Sequence, residues 1–491
     1  MTAILPNNEA GVSRALDLLS AENTRLVSIF GSTDDNHVRY VHYLIEVDGR
    51  EYRMLSSPVT GPIPSATPIV PAAAWYEREL HDQYGIECEG HPDPRPLLFH
   101  ENWPENVHPM IDDASHVPWA EGQYHFLRVH GDGVCEVPVG PIHAGIIEPG
   151  HFRFSVVGDT VLHLELRHFY THKGTEKLFE NIPVTHGVRL AESISGDSSF
   201  AHATAFCHAI ERAAEVEAPP RARALRTLCL ELERLYNHIG DIGAIATDVG
   251  FMVANMHALR LKERVLRVNE HLTGNRLLRG MACLGGVRCD WDGEQIQALE
   301  KLAVELGPEF DSLVELVEDS SSTRDRLEDT GILKPEVARD LGVVGIAGRA
   351  SGFDHDLRRD FPHAAYDWVK FRVPVYQEGD VEHRMQVRID EVRESLSIIQ
   401  QLVADLPAGA VRVEIGELPA GRTALGYVEG WRGEIYHWIR TAPGNRLARC
   451  KVKDPSLQNW PALSEAILGN IIPDFPVVNK SFNLSYSGTD R

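Results

Sequence analysis

Seven cysteines are the side chains best suited to soft-metal or redox chemistry: Cys88, Cys135, Cys207, Cys229, Cys283, Cys289 and Cys450. Their spacing argues against both. No two form a CxxC pair. The closest two, Cys283 and Cys289, are separated through Gly285-Gly286 by a gap that fits no usual zinc motif. The set reads as reduced, mostly buried thiols. Two histidines, His143 and His151, stand in a segment rich in Gly and Pro. Glu176, taken alone, is a surface charge beside Lys173 and Lys177. Ser195, Asp197 and Ser198 each suit the N-cap of a helix, because a short side-chain oxygen can accept from the free amides of a first turn.

Residues 1–55 read as a helix carrying Leu16, Leu18 and Leu19, then a hairpin. Val38 to Val47 is strand-like, and Asp48-Gly49 signals a type I′ turn. Proline-rich connectors follow, between Pro58 and Pro71 and again from Pro92 to Pro118. A second hairpin is expected over 151–170, with Gly158-Asp159 at its turn. The period then becomes helical. Leu225, Leu228, Leu232, Leu235, Ile239 and Ile242 repeat at three and four residues. So do Ile296, Leu299, Leu302 and Leu306, and Ile389, Val392, Leu396, Ile399 and Leu402.

With 491 residues and 43% hydrophobic content, the chain can bury a large core. The formal charge of −23 lacks the basic footprint of a nucleic-acid binder. It also disfavours free binding to an anionic membrane surface, so any membrane contact is expected to run through a partner. The N-terminal residues do not form a secretory signal, and no apolar window is long enough to span a bilayer. A cytoplasmic location is expected.

Several ordered motifs carry a family resemblance. The run Trp75-Tyr76-Glu77-Arg78-Glu79, with Tyr84-Gly85-Ile86 and Gly90-His91-Pro92-Asp93-Pro94-Arg95, resembles the end of the small peripheral-arm subunit of complex I. Gly140-Pro141-Ile142-His143, Glu148-Pro149-Gly150-His151-Phe152-Arg153-Phe154 and His172-Lys173-Gly174-Thr175-Glu176-Lys177 resemble the start of the large subunit shared by complex I and membrane-bound nickel–iron hydrogenases. Ala350-Ser351-Gly352, Asp356-Leu357-Arg358, Val387-Arg388 and Val452-Lys453-Asp454-Pro455-Ser456 continue it. The fused N-terminal part and the ending point to the formate hydrogenlyase-type branch. The implied fold is α+β: a small N-terminal α/β domain over 1–105, a linker over 106–135, and a mainly α-helical bundle with small antiparallel sheets over 136–491.

The resemblance also exposes a departure. Active hydrogenases of this family carry two CxxC pairs. Phe200-Ala201-His202 sets the first register, so those positions fall on Ser195 and Ser198. The closing Thr489-Asp490-Arg491 sets the second, on Ser485 and Gly488. Nickel and low-spin iron need soft thiolates, which these residues do not supply. The resemblance assigns Glu176 to proton transfer and Arg432 to the place above the metals. Trp431, where the family has proline, is expected to fill metal space. His143 and His151 lie on the loop that meets a quinone headgroup in complex I, while no tyrosine stands at the second quinone position; Gly196 and Phe206 occupy candidate places.

The expected function is the large subunit of a complex I-like membrane oxidoreductase. It would transfer electrons, coupled to ion translocation, without a nickel–iron centre. The expected partners are a small iron–sulfur subunit, which holds the cluster, and membrane subunits, placing the chain peripherally on the inner face of the cell membrane. Quinone is the acceptor the resemblance implies. The alternatives are a non-catalytic scaffold of the same complex and a true nickel–iron hydrogenase subunit. The former ligand turns are expected to meet, with Glu176 and Arg432 paired to each other or to the serine hydroxyls.

Overall fold

Arg39–Val47 and Glu51–Val59 form the hairpin that Asp48-Gly49 encodes, with both turn residues at positive φ. In this computed structural model, which describes residues 2–4, 9–112, 114, 117–143 and 147–491, the hairpin is the middle of a four-stranded sheet. Thr24–Thr33 flanks it antiparallel and Thr2–Ile4 flanks it parallel. The helix Ala74–Tyr84 lies against Thr24–Thr33. Gly31 makes this contact possible, because a Cβ there would lie 2.4 Å from the Tyr84 ring.

The hairpin His151–Val157 with Thr160–Arg167 also forms, extended by Val134–Val139. Its alternation buries Phe152, Phe154, Val161 and Leu164. The three apolar stripes become the helices Pro220–Asp248, Gly293–Glu318 and Val381–Ala404. Asp292 and Gln295 close a capping box at the second of these. Met252–Thr273 pairs with Pro220–Asp248, and Val381–Ala404 packs on its other side. A C-terminal antiparallel sheet, Thr423–Gly430, Gly433–Ala442 and Arg446–Lys453, lies on the helix Ser199–Ala214. The chain closes with Pro455–Ala466, Phe475–Phe482 and Tyr486–Thr489. One large core joins the bundle to this sheet, and a separate cluster fills the N-terminal domain.

The cysteines follow the sequence reading only in part. Cys207, Cys229 and Cys450 are buried and Cys135 is exposed. Among the described residues no helix is long and apolar enough to cross a membrane.

Candidate functional site

Ser195 lies on the turn before the helix Ser199–Ala214, and Ser485 begins the last short helix. They are 290 positions apart, yet their hydroxyls are 2.8 Å from each other. The Ser485 hydroxyl accepts from the Gly488 amide at 2.8 Å, so it is a true N-cap. The first motif differs from expectation. Ser198 occupies the N-cap position but its side chain makes no capping bond. The buried carboxylate of Glu233 takes the amides of Phe200 and Ala201 instead, at 2.8 and 3.0 Å.

Arg432 is at the turn between two strands of the C-terminal sheet, and it faces the first motif. Its guanidinium is bidentate on Asp197, with both bonds 2.6 Å, and donates to the Ser198 hydroxyl at 3.3 Å. Ser195 donates to the same Asp197 carboxylate at 2.9 Å. Burial pushes the Asp197 pKa up, but Arg432 outweighs it and holds the carboxyl below its ordinary value. Trp431 is buried, donates from Nε1 to the Asp197 carbonyl at 2.9 Å, and supports the guanidinium 3.9 Å above its ring.

These residues do not fit a nickel–iron centre. The donors at the four ligand positions are three neutral hydroxyls and no side chain at all, which cannot replace bridging thiolates. The space is also taken. A Cβ on Gly488 would lie 2.5 Å from Oδ2 of Asp454, so the carboxylate sits where a ligand side chain would leave the backbone.

Glu176 is 1% exposed, so it is not a surface charge. It does not pair with Arg432 or with the serines, contrary to expectation. Arg449 meets it at 2.7 Å, Arg491 at 2.9 Å and Lys451 at 3.0 Å. Lys451 and Arg491 also hold Glu79 of the N-terminal domain. Burial would raise the Glu176 pKa, but Lys451, Arg449 and Arg491 together hold it far below the usual carboxylate range. Glu176, Arg491, Phe99, Trp103 and Tyr170 are among the residues lining a cleft of about 760 Å³.

The two loop histidines bind their own loop. His143 donates from Nε2 to the Gly150 carbonyl at 2.7 Å, and His151 from Nδ1 to the Gly140 carbonyl at 3.2 Å. Nε2 of His151 is buried with no partner among the described residues. Burial lowers its pKa, so the ring is neutral at pH 7. A tyrosine does approach this loop from an unexpected place. A Cβ on Gly150 would lie 2.5 Å from the Tyr486 ring and 2.9 Å from Nδ1 of His168. Tyr486 sits between the two former ligand positions, and His168 is boxed by Phe152, Trp460 and Tyr486. Sequence spacing gave no signal for His168 or Tyr486, because the contact joins distant segments.

Residues 8–117 match the family of the respiratory-chain NADH dehydrogenase 30 Kd subunit, and residues 248–420 that of the 49 Kd subunit. Formate hydrogenlyase subunit 5 of Escherichia coli is 35% identical over 436 residues, covering 87% of this chain and 77% of that protein. The chain belongs to the complex I 30 kDa/49 kDa fusion family. The C/D subunit of NADH-quinone oxidoreductase from Phocaeicola vulgatus is 30% identical, and the match covers 92% of this chain and 92% of that protein. Among solved structures, a chain of an archaeal membrane-bound sulfane sulfur reductase matches with a TM-score of 0.69 and 26% identity, over 73% of this chain and 99% of that one. Within this complex I-like family, the present member joins its Ser195 and Ser485 turns by a hydroxyl pair, with the Arg432–Asp197 ion pair beside it.

Proposed function

We propose that the chain is the large subunit of a membrane-associated, complex I-like oxidoreductase, and that it receives electrons for an acceptor other than hydrogen. A small iron–sulfur subunit supplies the electrons, and membrane subunits hold the chain at the cytoplasmic face and couple transfer to ion movement. The observation that supports this is the Arg432–Asp197 pair at the Ser195–Ser485 junction. A fixed guanidinium can stabilise negative charge developing on an oxygen or sulfur acceptor. In the neutral His151 ring the bare Nε2 is an acceptor, so it suits the hydroxyl of a quinol rather than a quinone carbonyl. A sulfur acceptor would use the Arg432 guanidinium.

The scaffold reading has one observation in its favour. Glu176 is clamped by three cations and stays ionised near neutral pH, so it cannot exchange protons there. The two readings separate in the purified complex. Asp197→Asn should leave the assembly intact. With the iron–sulfur subunit reduced by dithionite and a short-chain quinone or polysulfide added, the acceptor reading gives at least about a tenfold loss of reoxidation rate, equivalent to about 1.4 kcal/mol. An unchanged rate in the assembled variant, or no reoxidation by either acceptor in the wild type, supports the scaffold.

A further inference from the structure

Behind the junction, the interior holds an array of ionisable side chains that the site above does not use. Asp454 ends the last strand and caps the helix Pro455–Ala466, its Oδ1 accepting from the Ser456 amide at 2.8 Å. Its Oδ2 is 3.0 Å from Nε2 of His202. Nδ1 of His202 is 3.1 Å from Nε2 of His437. Nδ1 of His437 faces Sγ of Cys450 at 3.9 Å. His202, His437 and Asp454 are all fully buried, and they come from a helix, a strand and a strand end that are far apart in sequence. Phe179 and Phe206 pack edge-on against His437 and keep water from that side.

With His202 neutral, the hydrogen bonds allow one protonation pattern. The carboxylate accepts, so Nε2 of His202 carries a proton. In a neutral ring its Nδ1 must then accept, so His437 carries its proton on Nε2. Nδ1 of His437 is left bare, with only the weak thiol donor of Cys450 before it. Every donor in the row points toward Asp454. Asp454 is in turn the carboxylate that occupies the space beside Gly488, next to Ser485. The charged groups facing the array are Glu176 and Arg491 near His437, and Arg432 and Asp197 near Asp454.

We propose that His437, His202 and Asp454 form a directional proton relay that moves one proton to Asp454, beside the Ser195–Ser485 junction. This rests on the reading of that junction as an acceptor site. A proton supplied by solvent and bound at Nδ1 of His437 forms one N–H bond there. The Nε2 proton of His437 passes to Nδ1 of His202, and the Nε2 proton of His202 passes to Oδ2 of Asp454. One N–H bond is gained at entry, one O–H bond at exit, and no heavy atom moves. Asp454 borders the junction, while His202 and His437 act through it as positioning residues.

Nitrogen-15 NMR of the full chain, labelled at histidine, reads the pattern directly. The wild type should show pyridine-type Nδ1 signals for both His202 and His437, assigned by His202→Gln and His437→Phe. A protonated Nδ1 on either ring in the wild type overturns the relay. Asp454→Asn supplies the second reading. The Ser456 amide pins the new amide oxygen, so the NH2 group must face His202. Both rings should then switch, with the pyridine-type signal moving from Nδ1 to Nε2. A His437 that keeps its wild-type tautomer in that variant shows that the rings are uncoupled, and the relay fails. If Asp454→Asn does not fold, the wild-type tautomers decide alone. Because none of these signals depends on turnover, correct tautomers in a complex that reduces no acceptor would leave the relay standing and sink the acceptor reading instead.

Discussion

Arg432 holds the junction in an ion pair with Asp197, and the consequence of removing it can be sized. A buried cation that strands a buried carboxylate costs about 3–5 kcal/mol. Here the Asp197 side chain keeps 40% exposure, so water can take over its solvation. Arg432→Ala should therefore destabilise the chain by only about 1–3 kcal/mol in urea denaturation. A loss above that range would mean that Asp197 is shielded by more than this chain. Asp454 gives a pH signature. Burial pushes its pKa up, yet the His202 hydrogen bond and Arg432 draw it down from 3.8 to about 2. A depressed carboxylate adds stability above its unfolded pKa and loses it as pH falls through the folded one. About 2 kcal/mol should vanish between pH ~4 and pH ~2 in the wild type. The same acid titration of Asp454→Asn should lack that component; parallel curves would contradict it.

The elements that bring these residues together were largely legible in the sequence. The apolar repeats from Leu225, Ile296 and Ile389 became the expected long helices, because a wide apolar stripe has one stable solution. Phe200-Ala201-His202 and Thr489-Asp490-Arg491 singled out Ser195 and Ser485, and these two residues meet. What could not be read was the choice of ionic partners. Glu176 had Lys173 and Lys177 as sequence neighbours, but its cations are Arg449, Lys451 and Arg491 from a strand and the chain end. Such pairings depend on which faces the packed elements present. Gly426 sets one of those faces. A Cβ there would lie 2.0 Å from the Ala205 carbonyl oxygen and 2.4 Å from the Ala209 nitrogen. Neither backbone atom can yield while the strand Thr423–Gly430 stays on the helix Ser199–Ala214. Gly426→Ala should cost at least about 3 kcal/mol of stability in thermal or urea unfolding. A near-neutral result would mean that the sheet does not press on this helix.

At the scale of the whole molecule, ionic clusters tie the N-terminal domain to the bundle. Glu434 is fully buried and accepts from Arg25 of the N-terminal sheet at 2.8 and 2.7 Å, and also from Lys453. Arg25 also bonds Glu46 of its own domain. Glu434→Gln would strand Lys453 and leave Arg25 with Glu46 alone, and should cost about 3–5 kcal/mol, with earlier proteolytic release of the N-terminal domain. Unchanged stability and proteolysis would show that the interface relies on apolar contacts alone. The whole fold keeps the architecture of its complex I-like family, with hydroxyls and an ion pair at the Ser195–Ser485 junction. The measurement that tests this most directly is the nickel content of the purified native complex, by elemental analysis alongside iron. The Arg432–Asp197 pair, the Ser195–Ser485 contact and the Asp454 carboxylate beside Gly488 predict nickel far below one per chain, with iron present from the small subunit. One nickel per chain would contradict the account.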